Sequence, residues 1–366
     1  MLTSKSPRDV ARVALAAGKE AFSDYSHLYS PHKFTQPQLF ACLVLKEFEK
    51  KDYRGIVHLL ADCSDLRDAI GLAKVPHFTT LQKASRRLLK LQHVRKLLDK
   101  TVRQIHGKRK TVPYAAGDSS GFDTHHASRY FVWRRDNNKD DETRGKKRVS
   151  YKRFGKLMVI VCCKSHAIVS AVASQGPTPD IDQLDDVVAE IAPSINIRHM
   201  VLDAGFDSAH NHHLLREDKG MLSTIPPEHG RPPKNPNTMP RDRWRRWMKI
   251  RFRNGSPRSY RKRPQVETVF SMMKRNLGSA LAARTVRGRY RDMFLRVLTH
   301  NIAIALLRLF YRASRPYLFF ISCLSFGGPY EKLIPMQPRP RTETSRPLFP
   351  SLRFCIVDPL IEQRTV

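Results

Sequence analysis

The stretch that most constrains the fold is KLMVIVCCKSHAIVSAVAS, residues 156–174. Its two apolar runs are rich in Val, Ile and Ala, each is of strand length, and the polar Lys164–His166 parts them. The pattern predicts a β-hairpin turning at those three residues. A chain that pairs these strands is not all-helical, so its other segments have to be placed around a sheet.

Upstream, KTVPYAAGD (110–118) predicts a strand ending in Asp118, and RYFVWRR (129–135) a further short one. Downstream, DIDQLDDVVAEIA (180–192) has the spacing of an amphipathic helix with Asp180 as its cap. RHMVLD (198–203) predicts a short buried strand ending at Asp203. SAHNHHLLRED (208–218) reads as a helix capped by Asp207, and GMLSTIP (220–226) as another strand. A Pro- and Arg-rich insert, 227–258, precedes a helix beginning at Pro264, and a last amphipathic helix covers about 290–312. With 129–135 set aside, the order is three strands, helix, strand, helix, strand, insert, helix. Three antiparallel strands joined to parallel neighbours by helical crossovers form the layout of a ribonuclease-H-like α/β domain over 109–312. Its expected form is a mixed five-stranded sheet with flanking helices.

Residues 1–108 predict an all-helical region. TQPQ at 35–38 has the Thr-x-x-Gln form of a capping box, followed by Leu39, Phe40, Leu43, Val44 and Phe48 at helical spacing. A second Thr-x-x-Gln, TTLQ at 79–82, opens a helix with Leu81, Ala84, Leu88 and Leu91 on one side and Lys83, Arg86, Arg87 and Lys90 elsewhere. Short helices are expected at about 53–63 and 65–71. This region is read either as a small DNA-end-binding module or as a bundle that braces the rest. The tail, 313–366, is Pro-rich in PMQPRPRTETSRPLFP, lacks periodicity and reads as a poorly ordered extension.

The charge is extreme. Lys and Arg number 66 against 33 Asp and Glu, a formal +33, which calls for a polyanionic partner. The basic residues are spread along the chain, so an anionic membrane surface fits less well than nucleic acid. Six cysteines without a CxxC pair fit free thiols in a reducing cytoplasm, and no structural zinc site is expected. The longest apolar run, YLFFISCLSF at 317–326, is too short to span a bilayer, and no signal peptide is read. A cytoplasmic, nucleoid-associated protein with no membrane partner is the expectation.

Cleaving a phosphodiester calls for hard divalent cations on a few carboxylates, with two metals roughly 3.5–4 Å apart. Asp118 and Asp203 end strands that are expected to be parallel neighbours, so both carboxylates project from one end of the sheet. Each also has a local reading as a turn residue. Glu267 lies in SYRKRPQVETVFSMMKR (259–275), one acid among Arg261, Lys262, Arg263, Lys274 and Arg275. Singly it reads as a first-turn glutamate favoured by the helix dipole. At about 100° per residue, Glu267 and Lys274 fall about 20° apart on the helix face. Val266, Phe270, Met273 and Leu277 form an apolar stripe beside them, and Pro264 leaves Tyr260 and Arg263 in the entering turn.

The spacing of Tyr260, Arg263, Glu267 and Lys274 (Y-x2-R-x3-E-x6-K) resembles the Y-R-E-K signature of insertion-sequence DDE transposases, the prokaryotic IS-four/IS-five superfamily. GDSSGF at the first Asp, VLDAGFDS at the second and THNIAIALLR (299–308) in the closing helix are similar to that family too, in its order over roughly 35–312. The resemblance implies Asp118, Asp203 and Glu267 as catalytic ligands of two Mg²⁺ ions, with Mn²⁺ as substitute. It implies Tyr260, Arg263 and Lys274 as DNA contacts near the cleavage point. Terminal inverted repeats and target DNA are the implied partners, with a homodimer or larger assembly and no small-molecule cofactor. The implied reaction is metal-dependent cleavage releasing a 3′-OH, then strand transfer by direct transesterification. Only 63 residues (204–266) separate Asp203 and Glu267, so the large β-rich insertion of the better-known branch is absent or reduced.

Two other functions stay open: a metal-dependent nuclease without strand transfer, and a decayed, non-catalytic DNA-binding derivative. Trp244 and Trp247 in the insert are read as anchors of a short helix, with base stacking as the alternative. HNHH (210–213) is not read as a metal site, since adjacent His212 and His213 diverge on a helix, and His125 and His126 lack a second pair. The charge run at 139–148 reads as an exposed loop.

Overall fold

The computed structural model of the protein describes residues 5–29, 31–107, 111–124, 154–227 and 239–324. The strand expected at 129–135, the pair His125 and His126, and the loop at 139–148 lie outside them. The chain divides into two units, 1–316 and 317–366; the second is described only over 317–324, which are helical.

Six helices open the first unit: α1 (Pro7–Ala21), α2 (Gln36–Phe48), α3 (Tyr53–Asp62), α4 (Ser64–Ile70), α5 (Phe78–Leu88) and α6 (Leu91–His106). Both halves of the Thr35 capping box form. The Thr35 hydroxyl accepts from Gln38 N–H at 3.3 Å, and Gln38 Oε1 accepts from Thr35 N–H at 2.9 Å. TTLQ behaves differently, because α5 starts at Phe78 and is capped by the His77 ring, which accepts from Thr79 N–H. Leu81, Ala84 and Leu88 are buried as expected, whereas Leu91 opens α6 and is exposed.

The strands are β1 (Thr111–Val112), β2 (Ala115–Thr124), β3 (Phe154–Cys162), β4 (Ile168–Gly176), β5 (Asn196–Ile197), β6 (His199–Val201), β7 (Leu222–Thr224) and β8 (Ala280–Leu281). The main sheet runs β4-β3-β2-β6-β7, with β8 added to the far end of β2. Strand β3 runs antiparallel to both β2 and β4, while β6 and β8 run parallel to β2, and β7 parallel to β6. β1 and β5 form a separate parallel pair. The mixed sheet follows the expected order of strands, but it has six of them. The extra strand, β8, is two residues long and leaves no periodicity to read.

Strand β2 also corrects an expectation. It does not end at Asp118 but continues to Thr124 along β3. Its polar GDSSG run looks like a turn, yet the apolar β3 alongside fixes it as a strand. The hairpin turn falls where expected: His166 N–H bonds back to Cys162 O at 2.8 Å, and His166 takes φ 60°.

Five further helices complete the description: α7 (Leu184–Ala189), α8 (Ala209–His213, running on as a π-helical turn Leu214–Asp218), α9 (Arg243–Phe252), α10 (Pro264–Leu277) and α11 (Val286–Leu324). Helix α11 begins before residue 290 because the Thr285 hydroxyl caps it, accepting from Gly288 N–H at 3.1 Å. It also continues past 312, so the tail is not irregular from its start.

Side chains alternate across the sheet. Ala116 and Phe122 of β2, with Leu157, Val159 and Val161 of β3, join a core built from α10, α11 and the N-terminal helices. Ala115, Met158, Ile160 and Cys162 face the other way, onto Leu184, Val187 and Val188 of α7 and Leu215 beyond α8. The first core encloses a buried ionic cluster in which Glu47 pairs with both Lys46, at 3.3 Å, and Arg296. Arg296 of α11 donates from Nε to Glu47 of α2 at 2.9 Å, and from Nη1 and Nη2 to the Gly278 and Ala280 carbonyls at 2.9 and 2.7 Å. That single guanidinium ties α2 and α11 to the segment leaving α10. No helix of the described residues is long and apolar enough to cross a membrane.

Candidate active site

The register of β2 against β6 sets up the site. Ala115 pairs with Met200 and Ala116 with Val201, after which the parallel ladder ends. Asp118 and Asp203 lie two residues beyond the last pair on their respective strands, at equivalent positions. Gly117 permits this approach: a Cβ there would meet Leu202 Cδ2 at 2.7 Å. The backbone fixes each carboxylate, Asp118 Oδ1 accepting from Ser119 N–H at 2.8 Å and Asp203 Oδ1 from Ala204 N–H at 2.7 Å.

Glu267 comes from α10, which starts at Pro264 as the sequence predicts. Val266, Phe270, Met273 and Leu277 are buried, joined by Val269, and press the helix onto the sheet. Glu267 is therefore left on the exposed side of the first turn. Gly278, at φ 93°, ends the helix. Tyr260 lies in a 3-10 turn, Tyr260–Lys262, and Arg263 caps α10, as the entering turn requires.

The three carboxylates converge on one guanidinium. Arg263 Nη2 donates to Asp118 Oδ2 at 3.2 Å and to Asp203 Oδ2 at 3.0 Å, while Nη1 donates to Glu267 Oε1. Arg263 Nε is buried without a hydrogen-bond partner. The Tyr260 hydroxyl donates to Asp203 Oδ1 at 3.4 Å, a long bond. Lys274, two turns along α10, donates to Ser120 Oγ at 2.7 Å and lies over the Phe122 ring. The expected six residues are thus brought to one face of β2, since Asp118, Ser120 and Phe122 alternate onto it.

Electrostatics follow from burial and charge. Burial raises the Asp118 pKa above the ordinary carboxylate value against the opposing pull of Ser119 N–H and Arg263, and the nearby Asp180 and Asp203 charges add to the rise. Burial works against the Arg263 charge, but Asp118, Asp203 and Glu267 outweigh it and hold the guanidinium pKa above its usual value. The Tyr260 hydroxyl is raised by burial and then by Asp203.

A second cluster, missed from the sequence, lies on the opposite face of β2. Ser119 Oγ donates to Asp180 Oδ1 at 2.6 Å, and Lys156 of β3 reaches the same oxygen at 2.5 Å and the Thr178 carbonyl. Asp180 was expected to cap the following helix, but its side chain makes no capping bond, and that segment is a 3-10 turn before the short α7. Asp207 is likewise not the cap of α8. Ser208 takes that place, and Asp207 pairs with Arg245 at 2.9 Å. The signal in the sequence was the Ser pair after Asp118, which alternation sends to opposite faces.

The insert helix α9 explains its tryptophans. Arg216 lies over Trp244 at 4.4 Å and Trp247 at 4.8 Å, Arg243 over Trp244, and Arg251 over Trp247. Arg216 is itself bound to Ser223 of β7, and Trp244 Nε1 donates to Glu217 at 2.8 Å. The rings are engaged in anchoring α9, as the structural reading expects. The HNHH histidines diverge onto separate acids: His210 to Asp185, His212 to Asp207, and His213 to Glu217 and Asp242. Among the described residues no three acids, histidines or cysteines lie close enough to hold one ion, the guanidinium filling the space between the three carboxylates. Cys42, Cys63, Cys162 and Cys163 are free thiols.

No curated protein matches the chain. A family model described as "Transposase DDE domain" matches residues 114–302. The matched span takes in β2 with Asp118, β6 leading to Asp203, α10 with Glu267, and the part of α11 that closes the core. It covers just over half of the sequence, and on that ground the chain belongs to the transposase DDE-domain family.

Proposed function

We propose that this protein is an insertion-sequence transposase whose ribonuclease-H-like domain cuts DNA at transposon ends and joins the freed 3′-OH to target DNA. The observation that carries the reading is the convergence of Asp118 from within β2, Asp203 from just beyond the parallel β6 and Glu267 from a helix start around one cationic centre. These donors are hard carboxylate oxygens gathered around a positive group, which fits Mg²⁺ or Mn²⁺ far better than a soft-ligand metal. Asp118, Asp203 and Glu267 would hold two such ions, which when bound supply charge neutralisation at the scissile phosphate and an activated nucleophile.

The remaining roles fall to this chain's own side chains. Lys274 and Arg263 present cations on the face of β2 that carries Asp118, and Tyr260 adds a hydroxyl beside Asp203, a set suited to backbone phosphates. Arg261, Lys262 and Arg275 are exposed around them and extend the positive rim. The formal +33 makes sequence-independent DNA affinity strong and salt-sensitive. The helical region 1–108 is assigned to end recognition, and synapsis of two ends requires a dimer or larger.

The test uses a supercoiled plasmid carrying the DNA that flanks the gene on both sides, where imperfect terminal inverted repeats are expected. Cleaved ends and strand-transfer products are expected with Mg²⁺ or Mn²⁺ and absent in Asp118→Asn, Asp203→Asn and Glu267→Gln. Retained transposition in all three variants sinks the catalytic assignment. Cleavage without joined products reduces the protein to a nuclease.

A further inference from the structure

We propose that Arg263 is an exchangeable counter-ion: it holds the three carboxylates together in the metal-free protein and is passed to a DNA backbone phosphate when divalent cations enter. The proposal rests on the reading of Asp118, Asp203 and Glu267 as metal ligands. It makes Arg263 a positioning residue that couples metal occupancy to DNA occupancy.

The hydrogen-bond geometry is that of a cation held by charge more than by directed bonding. One nitrogen, Nη2, is shared between two aspartates at 3.0 and 3.2 Å, while Nε is buried with no acceptor. A guanidinium seated in its best site presents its donors in a bidentate fork. Here the fork is split among three acids on three different elements.

Charge counting then sets the direction of exchange. Three carboxylates and one guanidinium leave a local formal charge of about −2, which attracts divalent cations. With two such ions in place the same group of residues turns net positive, and Arg263 in its present position meets like charge. The side chain is rooted in the turn that caps α10, beside the exposed Arg261 and Lys262, and 19% of it is open to solvent. A phosphate there gives the fork the bidentate partner it lacks between the acids. By linkage, DNA that removes Arg263 from the acids tightens metal binding, and metal that expels Arg263 tightens DNA binding by the same factor.

The experiment measures Mn²⁺ binding to the full chain by calorimetry and electron paramagnetic resonance, with and without a DNA duplex. Without DNA, Arg263→Met is expected to bind Mn²⁺ roughly tenfold more tightly than the unsubstituted protein, within the usual range of coupling factors. DNA is expected to tighten Mn²⁺ binding in the unsubstituted protein by a similar factor and to have little effect in Arg263→Met. Arg263→Lys keeps the charge without the fork, and its affinity should fall between the two. It also preserves the test if the Met variant fails to fold. Equal or weaker Mn²⁺ binding in both variants overturns the proposal and leaves Arg263 as an organiser of the acids or a plain phosphate contact. A double variant, Asp118→Asn with Glu267→Gln, separates the two ideas. If it still binds Mn²⁺ as before, the metal-ligand reading fails, whatever Arg263 does.

Discussion

Replacing Arg296 by Met tests whether a buried ion pair far from the three acids holds the site-bearing helix in place. The perturbation removes three donors at once, those to Glu47, Gly278 O and Ala280 O. Both side chains of the pair are under a tenth exposed, Arg296 at 6% and Glu47 at 8%, so Glu47 would be left buried with Lys46, 3.3 Å from its Oε2, as its remaining cation. Breaking a buried pair from one side costs about 3–5 kcal/mol when the charge left behind is uncompensated, and with Lys46 still in place the loss is set at about 3 kcal/mol. For a folded unit of this size that corresponds to a Tm lower by roughly 5 °C. Arg296→Lys keeps a cation beside Glu47 and leaves the buried Lys46–Glu47 pair intact. It should recover part of the loss, leaving about 1 kcal/mol for each carbonyl still lacking a donor. Differential scanning calorimetry and urea titration of the two variants provide the measurement. DNA cleavage should fall in the Met variant, because Ala280 belongs to β8, which pairs with the end of β2. A Met variant within about 1 kcal/mol of the parent, or a Lys variant no better than the Met variant, refutes the reasoning.

Gly117→Ala drives a methyl into Leu202 next to Asp203. It should cost about 1–3 kcal/mol, but lower the cleavage rate by up to ~100-fold, because misplacing reacting groups by an ångström is expensive. A rate near that of the parent would show that the strand ends can part without harm. Lys274→Met should weaken DNA binding across all sequences and reduce the slope of log K against log salt by about 1; an unchanged slope removes Lys274 from the phosphate contacts. His300 is fully buried, hydrogen-bonds the His166 carbonyl, and has its pKa pushed down to about 4 by burial. The unfolded chain takes up that proton first, so stability is present above about pH 6.5 and is lost as pH falls towards 4, by up to ~3 kcal/mol. Denaturant titrations of His300→Gln should show a shallower decline over that window, and parallel curves would assign the acid sensitivity elsewhere.

The parts of the fold that the sequence makes legible are those with periodicity of their own. The hairpin at 156–174 and helix α10 announce themselves through apolar runs and through Pro264 with its buried stripe. Their neighbours Asp118 and Asp203 could be located by reasoning that a crossover helix returns a parallel strand. What stays illegible is decided by partners distant in the chain. GDSSG is polar and turn-like, and becomes a strand only because β3 runs beside it. Asp180 has every local mark of a helix cap but is claimed by Ser119 and Lys156, respectively 61 and 24 positions earlier. Asp207 and Ser208 are equally good caps by type, and the competing Arg245 decides between them. The sequence places Arg263 at a helix entry; that its side chain turns inward to three acids depends on contacts no local pattern records.

The two-residue ladder between β2 and β6 has a consequence for how such a gene can change and still work. Because neighbouring residues of β2 belong to opposite faces, deleting one residue between Ala116 and Asp118 would send the carboxylate to the side of Asp180 and bring Ser119 into its place. Substitutions along this strand can be graded in their effect, but a change of length cannot. Insertions and deletions that leave the protein active should therefore collect between the elements and be missing from 115–124 and 199–203, so the lengths of these two segments mark which copies of the gene can still cut.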